Sequence, residues 1–267
     1  MKKLILPLLA LISCILVQAS DYVNVDFYVQ FSSQLNALLN KKYWEQITVV
    51  GDGLALLCIS SVFILKDVKT VLALDFAMLL GGGIARGLKI YFSALRPYEY
   101  ISGIAVESSA YSLHDRSFPS GHSVAVVAFF VVVLLVFSAE IKNKKNQIIL
   151  IFIGAAAISV LLSRMALGAH WPLDVVAGSA IGWLSGCIAW FSIDKYKNHF
   201  KSKKWIYFLL FFQVLVCIIL ALRIQDDRQI LFVSYGALLV GIVSIFYLFW
   251  NIFSKSKSSK NYELDIV

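Results

Sequence analysis

Charge is scarce in this chain. Only 15% of its 267 residues are Asp, Glu, Lys or Arg, against about 25% in an ordinary globular domain. Hydrophobic residues make up 60% and the mean hydropathy is +0.79. A soluble fold of this length could not bury so much apolar side chain, and disorder and collagen are excluded by the same figures. A disulfide framework is missing too. The four cysteines, Cys14, Cys58, Cys187 and Cys217, all lie in apolar runs and read as small buried hydrophobes. Internal repeats are absent, and low complexity is confined to the Lys/Ser-rich stretch 254–260. What remains is an integral membrane protein.

The formal net charge of +8 could suggest nucleic acid, but the basic residues sit in short clusters between long apolar runs. A bilayer core requires about 20 apolar residues per helix. Eight segments approach this: 4–19, 47–65, 70–92, 121–138, 147–167, 172–192, 205–222 and 230–253. Lysines fall in alternate connections: Lys2 and Lys3, then Lys66 and Lys69, then Lys142, Lys144 and Lys145. The series continues with Lys195, Lys197, Lys201, Lys203 and Lys204, and ends with Lys255, Lys257 and Lys260. By the positive-inside rule these loops and both termini are cytoplasmic, which leaves 20–46, 93–120, 168–171 and 223–229 outside.

Segment 4–19 also imitates a secretory signal, with Met1-Lys2-Lys3 before it and Val17-Gln18-Ala19 at its end; a retained first span is the preferred reading. Residues 24–46 suggest an amphipathic helix at the outer interface. Gly81-Gly82-Gly83, deep in a span, reads as a close-packing point. Gly178, Gly182 and Gly186 recur every four residues, a spacing that lets two membrane helices approach closely.

Ionisable groups in or beside spans are costly and are functional candidates. Here they are Asp52, Asp75, Arg86, Lys89, Arg164, Asp174, His122 and His170. The topology brings Lys89, Arg96, Ser120, His122, Arg164, His170 and Asp174 to one membrane face from four separate stretches. Cations without a matching carboxylate cluster suit a highly charged anion, and an Arg fork matches phosphate oxygens. Two helix starts there add unpaired N–H groups and positive dipole ends. Two histidines can supply a nucleophile and a proton donor. His170 and Asp174, four apart, can share a helical face, so the carboxylate can fix the imidazole tautomer. No set of His, Cys and carboxylates has the count of a metal site. Taken singly, each feature has a plainer structural reading. Arg86 and Arg116 read as interfacial anchors or lipid-headgroup contacts, and His199 as a solvated side chain. His114, Asp115, Glu99 and Glu107 lie in an outer loop, 98–118, that could be a substrate lid or merely solvated.

Lys89-x₆-Arg96-Pro97, Pro119-Ser120-Gly121-His122 and Ser163-Arg164-x₅-His170-x₃-Asp174 resemble the three-part signature of the type-2 phosphatidic acid phosphatase superfamily, which includes the vanadium haloperoxidases. Order and spacing match throughout, over residues 20–192. The resemblance implies a metal-free, cofactor-free reaction in which His170 attacks phosphorus and Asp174 orients it. His122 would protonate the leaving oxygen, and Lys89, Arg96, Ser120, Gly121 and Arg164 would hold the phosphoryl oxygens. It also implies an all-α transmembrane bundle, here a six-helix phosphatase core with two extra C-terminal spans. The expected division is 1–19 as first span or signal-like segment, 20–192 as core, and 193–267 as two further helices with a Lys-rich cytoplasmic tail.

The leading expectation is a multi-pass enzyme of a bacterial inner membrane that dephosphorylates a lipid at the outer face. Candidate substrates are undecaprenyl diphosphate, phosphatidylglycerol phosphate, phosphatidic acid or a lipid A phosphate. A phosphotransferase using the same intermediate is the alternative, and a non-catalytic lipid transporter with a retained phosphate site is another. The intact His122, His170 and Asp174 set argues against the last, since binding alone needs only the cations.

Overall fold

In the computed structural model, residues 2–20, 25–65, 67–101, 116–196, 203–226 and 231–258 are described. They form α-helices and short 3₁₀ turns, with no strand among the described residues. The helices are α1 (Lys2–Ala19), α2 (Val25–Leu38), α3 (Lys41–Val50), α4 (Gly53–Ser60), α5 (Val68–Phe92) and α6 (Pro97–Tyr100). They continue with α7 (Gly121–Phe137), α8 (Lys144–Ala166), α9 (Pro172–Lys195), α10 (Lys203–Asp226) and α11 (Leu231–Ser258).

All eight apolar segments are helical, but not all as expected. Among the described residues, four stretches are each long and apolar enough to cross a membrane: Val68–Tyr100, Lys144–Ala166, Pro172–Lys195 and Trp205–Arg223. Among the described residues the bent pair Lys41–Val50 and Gly53–Ile64 would make a fifth. The segment expected as a continuous span over 47–65 is therefore broken, with a bend of 51°. The reason is local. Gly51 and Asp52 interrupt the ladder, and Asp52 turns its carboxylate onto the backbone N–H of Leu54 (3.0 Å) and Ala55 (3.2 Å), capping a new helix. The amphipathic segment expected over 24–46 is likewise two helices, α2 and α3, because Asn40 caps α3 through the Tyr43 N–H at 2.9 Å.

The core is a three-helix contact of α5, α7 and α9, with α1 against α9 and α8 against α7. The glycine stripe of α9 makes this contact possible. A Cβ on Gly178 would lie 2.5 Å from the Ser120 carbonyl oxygen, and one on Gly182 would lie 2.6 Å from that of Val124. At Gly186 it would meet the Ala128 carbonyl oxygen at 3.1 Å. Only Gly81 of the glycine triplet packs this way, against Val124 and Ser185; a Cβ on Gly82 or Gly83 would meet nothing within 4 Å.

Helices α10 and α11 pack on each other and on α4. A buried polar cluster fastens α10: Asp75 accepts from Ser60 Oγ at 2.6 Å and from Gln213 Nε2 at 2.8 Å. Asp75 is thus a structural group, about 21 Å along α5 from Lys89. All four cysteines are buried, and none is in a disulfide. Large apolar side chains stand exposed around the outside, among them Ile151, Phe152, Phe211 and Phe246. Such a surface has lipid as its solvent, with backbone groups satisfied inside the helices. The chain is a multi-pass membrane protein.

Candidate active site

The site forms where the C-terminal ends of α5 and α8 meet the starts of α7 and α9. The sequence between α8 and α9 builds its floor. Gly168 takes φ 70°, a left-handed position that glycine adopts without steric cost. That turn lets the N–H groups of both Ala169 and His170 reach the Arg164 carbonyl, each at 3.1 Å. Trp171 locks the segment by donating Nε1–H to the Leu95 carbonyl at 2.9 Å and packing edge-on against Tyr28 and Tyr100. Pro172 then starts α9, where its missing N–H leaves nothing unsatisfied. His170 is left buried at the mouth of two helices, 2% exposed.

Asp174 lies one turn on, fully buried. Its Oδ2 accepts from the Trp171 N–H at 2.9 Å and lies 3.3 Å from His170 Nδ1. Ser117 donates its hydroxyl to the same oxygen and sits 3.5 Å from His170 Nδ1. A carboxylate against Nδ1 favours the tautomer with its proton there, which leaves Nε2 with its lone pair available. Burial comes first, followed by the charges of Arg164, Lys89 and Arg96; together they hold the His170 pKa well below the ordinary histidine value. The ring is therefore neutral at pH 7.

The cations arrive from three elements. Lys89, near the end of α5, donates to the carbonyls of Arg116 (2.5 Å) and Ser117 (3.2 Å). Arg96 starts α6, is 4% exposed, and donates to the Ala169 carbonyl at 3.3 Å. Arg164, in the last turn of α8, is 2% exposed and donates to the Thr48 hydroxyl. Ser120 caps α7 by accepting from the Ser123 N–H, and its own N–H donates to the Asp174 carbonyl at 3.0 Å. This last bond ties the start of α7 to the start of α9. Gly121 opens α7, and a Cβ there would meet nothing within 4 Å. His122 follows, partly exposed, against the break after α3: a Cβ on Gly51 would lie 3.4 Å from His122 Cβ and Cδ2.

Every expected site residue thus lies at this end of the bundle. Three residues outside the expected set join them: Ser117, Thr48 and Gly51. No periodicity or motif marks them, because each acts through a contact between segments far apart in sequence. The Arg116 guanidinium donates to the carbonyls of Lys89 and Ile90 at the end of α5, where a cation suits the helix dipole. Glu99 accepts from the Arg96 N–H at 3.0 Å and closes the turn of α6. His114, Asp115, Glu107 and His199 lie outside the described residues. Among the described residues no three His, Cys, Asp or Glu side chains group as metal ligands.

The arrangement can hold a tetrahedral anion with an imidazole on one side. Buried cations and helix N-termini are costly without an anion and stabilising with one.

Comparison with known proteins gives this geometry a family. The family model described as PAP2 superfamily matches residues 70–198. A protein named lipid A 1-phosphatase from Rhizobium etli is 30% identical over 174 residues, 57% of this chain and 68% of that protein. The chain belongs to the PAP2 superfamily. A second PAP2 relative, the lipid A 1-phosphatase of Rhizobium johnstonii, is 35% identical over 122 residues. That match spans 45% of this chain and 44% of the relative, so less than half of that protein is covered. Other relatives carry the names undecaprenyl-diphosphatase and phosphatidylglycerophosphatase B. The PAP2 fold itself is seen in a transmembrane phosphatidylglycerolphosphate phosphatase of Bacillus subtilis. Its crystal structure aligns with TM-score 0.53 at 20% identity, covering 72% of this chain and 96% of that one.

Proposed function

We propose that this chain is a membrane lipid phosphatase that works through a phosphohistidine, without a metal or cofactor. The observation that carries the reading is the buried Asp174–His170 contact of 3.3 Å at Nδ1, which leaves the lone pair of Nε2 available for attack. In the first step His170 Nε2 attacks phosphorus while Lys89, Arg96, Arg164, Ser120 and the Gly121 N–H hold the phosphoryl oxygens. The P–O bond to the lipid breaks, and its oxygen takes a proton from His122. Water then attacks the phosphohistidine, the P–N bond breaks, and His122 recovers a proton from that water. Inorganic phosphate leaves. The relatives' names support a lipid phosphate or diphosphate as substrate, and the exposed apolar helices support a substrate delivered within the bilayer. The catalytic core corresponds to residues 20–192, and 193–267 adds α10 and α11.

The test is release of phosphate from a panel of phosphatidic acid, phosphatidylglycerol phosphate, a lipid A phosphate and undecaprenyl diphosphate, with purified protein in detergent. Turnover should persist in EDTA, since the positive charges are side chains. Vanadate should inhibit it by adopting the five-coordinate geometry of phosphoryl transfer. Loss in EDTA with recovery on adding a metal would overturn the reaction. Phosphate appearing on a second lipid instead of in solution would make the protein a transferase.

The lysine distribution supports a site on the outer face of a bacterial inner membrane, with both termini cytoplasmic. A cysteine replacing Ser102, in a background without native cysteines, should react with an impermeant thiol reagent in intact spheroplasts. One replacing Asn143 should react only after the membrane is opened. The reverse pattern would put the site in the cytoplasm.

A further inference from the structure

Helix α10 lies outside the residues matched by the family model, 70–198, yet its outer end reaches the site. Gly51 abuts His122, with room for no Cβ: one would also strike Val160. The next residue, Asp52, faces two ways. Its Oδ1 caps α4, and its Oδ2 accepts from Arg223 Nη1 at 2.6 Å. One residue and one hydrogen bond therefore connect the backbone touching His122 to a guanidinium of α10.

Arg223 sits on a particular side of the site. It pairs with Asp52, the residue after the Gly51 that abuts His122, whereas Lys89 and Arg96 bond to backbone on the His170 side, at the carbonyls of Ser117 and Ala169. Gln213 anchors α10 in the core, fully buried against Asp75 and Ser60, whereas the Arg223 side chain is 45% exposed. A cation kept half-exposed one residue from the backbone that abuts His122 is placed for a ligand.

We propose that Arg223 binds a second phosphate of the substrate, so that the preferred class is a lipid diphosphate rather than a lipid monophosphate. This rests on the reaction proposed above, in which the leaving group departs on the His122 side. In a diphosphate, His170 Nε2 bonds to the terminal phosphorus and the bridging P–O bond breaks. The departing oxygen belongs to a lipid phosphate, which carries its electron pair and charge toward Arg223 and takes a proton from His122. A monophosphate releases an alcohol there, with nothing for a guanidinium fork to grip.

The experiment compares kcat/KM for a polyprenyl diphosphate and for phosphatidic acid, using the full chain in detergent, in wild type, R223Q, R223K and D52N. R223Q should lower the diphosphate value about 10–100-fold, the scale of one charge-assisted phosphate contact, and change phosphatidic acid by less than about threefold on the same scale. R223K should retain part of the preference. D52N breaks the ion pair but keeps both an α4 cap and the guanidinium, so the preference for diphosphate should remain. Equal losses on both substrates in R223Q and D52N would mean that Arg223 only fastens α10, and would overturn the subsite. Calorimetry with inorganic pyrophosphate and orthophosphate separates this from the reaction itself. Wild type should favour pyrophosphate by about tenfold, and R223Q should not. A protein that hydrolyses neither lipid but keeps this Arg223-dependent preference would overturn the reaction and leave the subsite standing. Hydrolysis of both lipids with no effect of R223Q in either assay would do the opposite.

Discussion

Replacing His170 with Ala should abolish both turnover and any covalent phosphoryl-enzyme, because it deletes the atom that bonds to phosphorus. His122→Ala should differ in kind. It removes only the proton donor, typically a loss of about 10²–10⁴-fold in rate, and leaves the attacking nitrogen and its Asp174 contact intact. Acid-quench trapping of labelled phosphate distinguishes the two. Wild type and His122→Ala should carry a label that is acid-labile and base-stable, and His170→Ala should carry none. Asp174→Asn should behave as a weakened His170, since an amide can present its N–H to Nδ1 and favour the tautomer that blocks Nε2. Label still present in His170→Ala would mean that another residue is the nucleophile.

Gly178→Val should cost the protein both its site and much of its stability. The new Cβ would lie 2.5 Å from the Ser120 carbonyl oxygen and 3.0 Å from Ser123 Cβ. The first of these is backbone at the start of α7 and cannot swing aside. Relief requires α9 to move away from α7, which parts Asp174 and His170 from Ser120 and His122. Overpacking of this kind costs about 1–3 kcal/mol or more, a large share of a total stability of about 5–15 kcal/mol. A displacement of about 1 Å at reacting groups can cost about 10²-fold in rate. Gly82→Val is the matched control, since a Cβ there meets nothing within 4 Å. Melting temperature in detergent and phosphate release should both fall in Gly178→Val and stay near wild type in Gly82→Val. Equal behaviour of the two variants would remove the close α7–α9 contact as the support of the site.

Both expected results depend on features that differ in how far they can be read from the chain. The apolar runs, the alternating lysines and the ionisable residues near span ends are properties of linear order. Together they determine helical segments, a membrane environment, and the convergence of Lys89, Arg96, Ser120, His122, Arg164, His170 and Asp174. The i, i+4 placement of His170 and Asp174 was equally legible, because one turn of helix sets their separation. The glycine stripe announced a close helix contact, though not which helix would fill it.

Other features depend on contacts that linear order does not encode. The break at Gly51-Asp52 is invisible to a hydropathy window, since the residues on both sides are apolar and only the capping bonds of Asp52 show that a new helix begins. Ser117 and Thr48 enter the site because Asp174 and Arg164, distant in sequence, fold against them. Asp75 reads in the sequence as a functional candidate, like Asp174; only its burial against Ser60 and Gln213 makes it a fastener for α10. Sequence by itself determined the membrane class and the chemical inventory of the site, because hydrophobic length and residue type are local quantities. Tertiary structure alone decided that Ser117 joins the Asp174 carboxylate and that Arg223 pairs with Asp52, because both depend on hydrogen bonds between segments that only packing brings together.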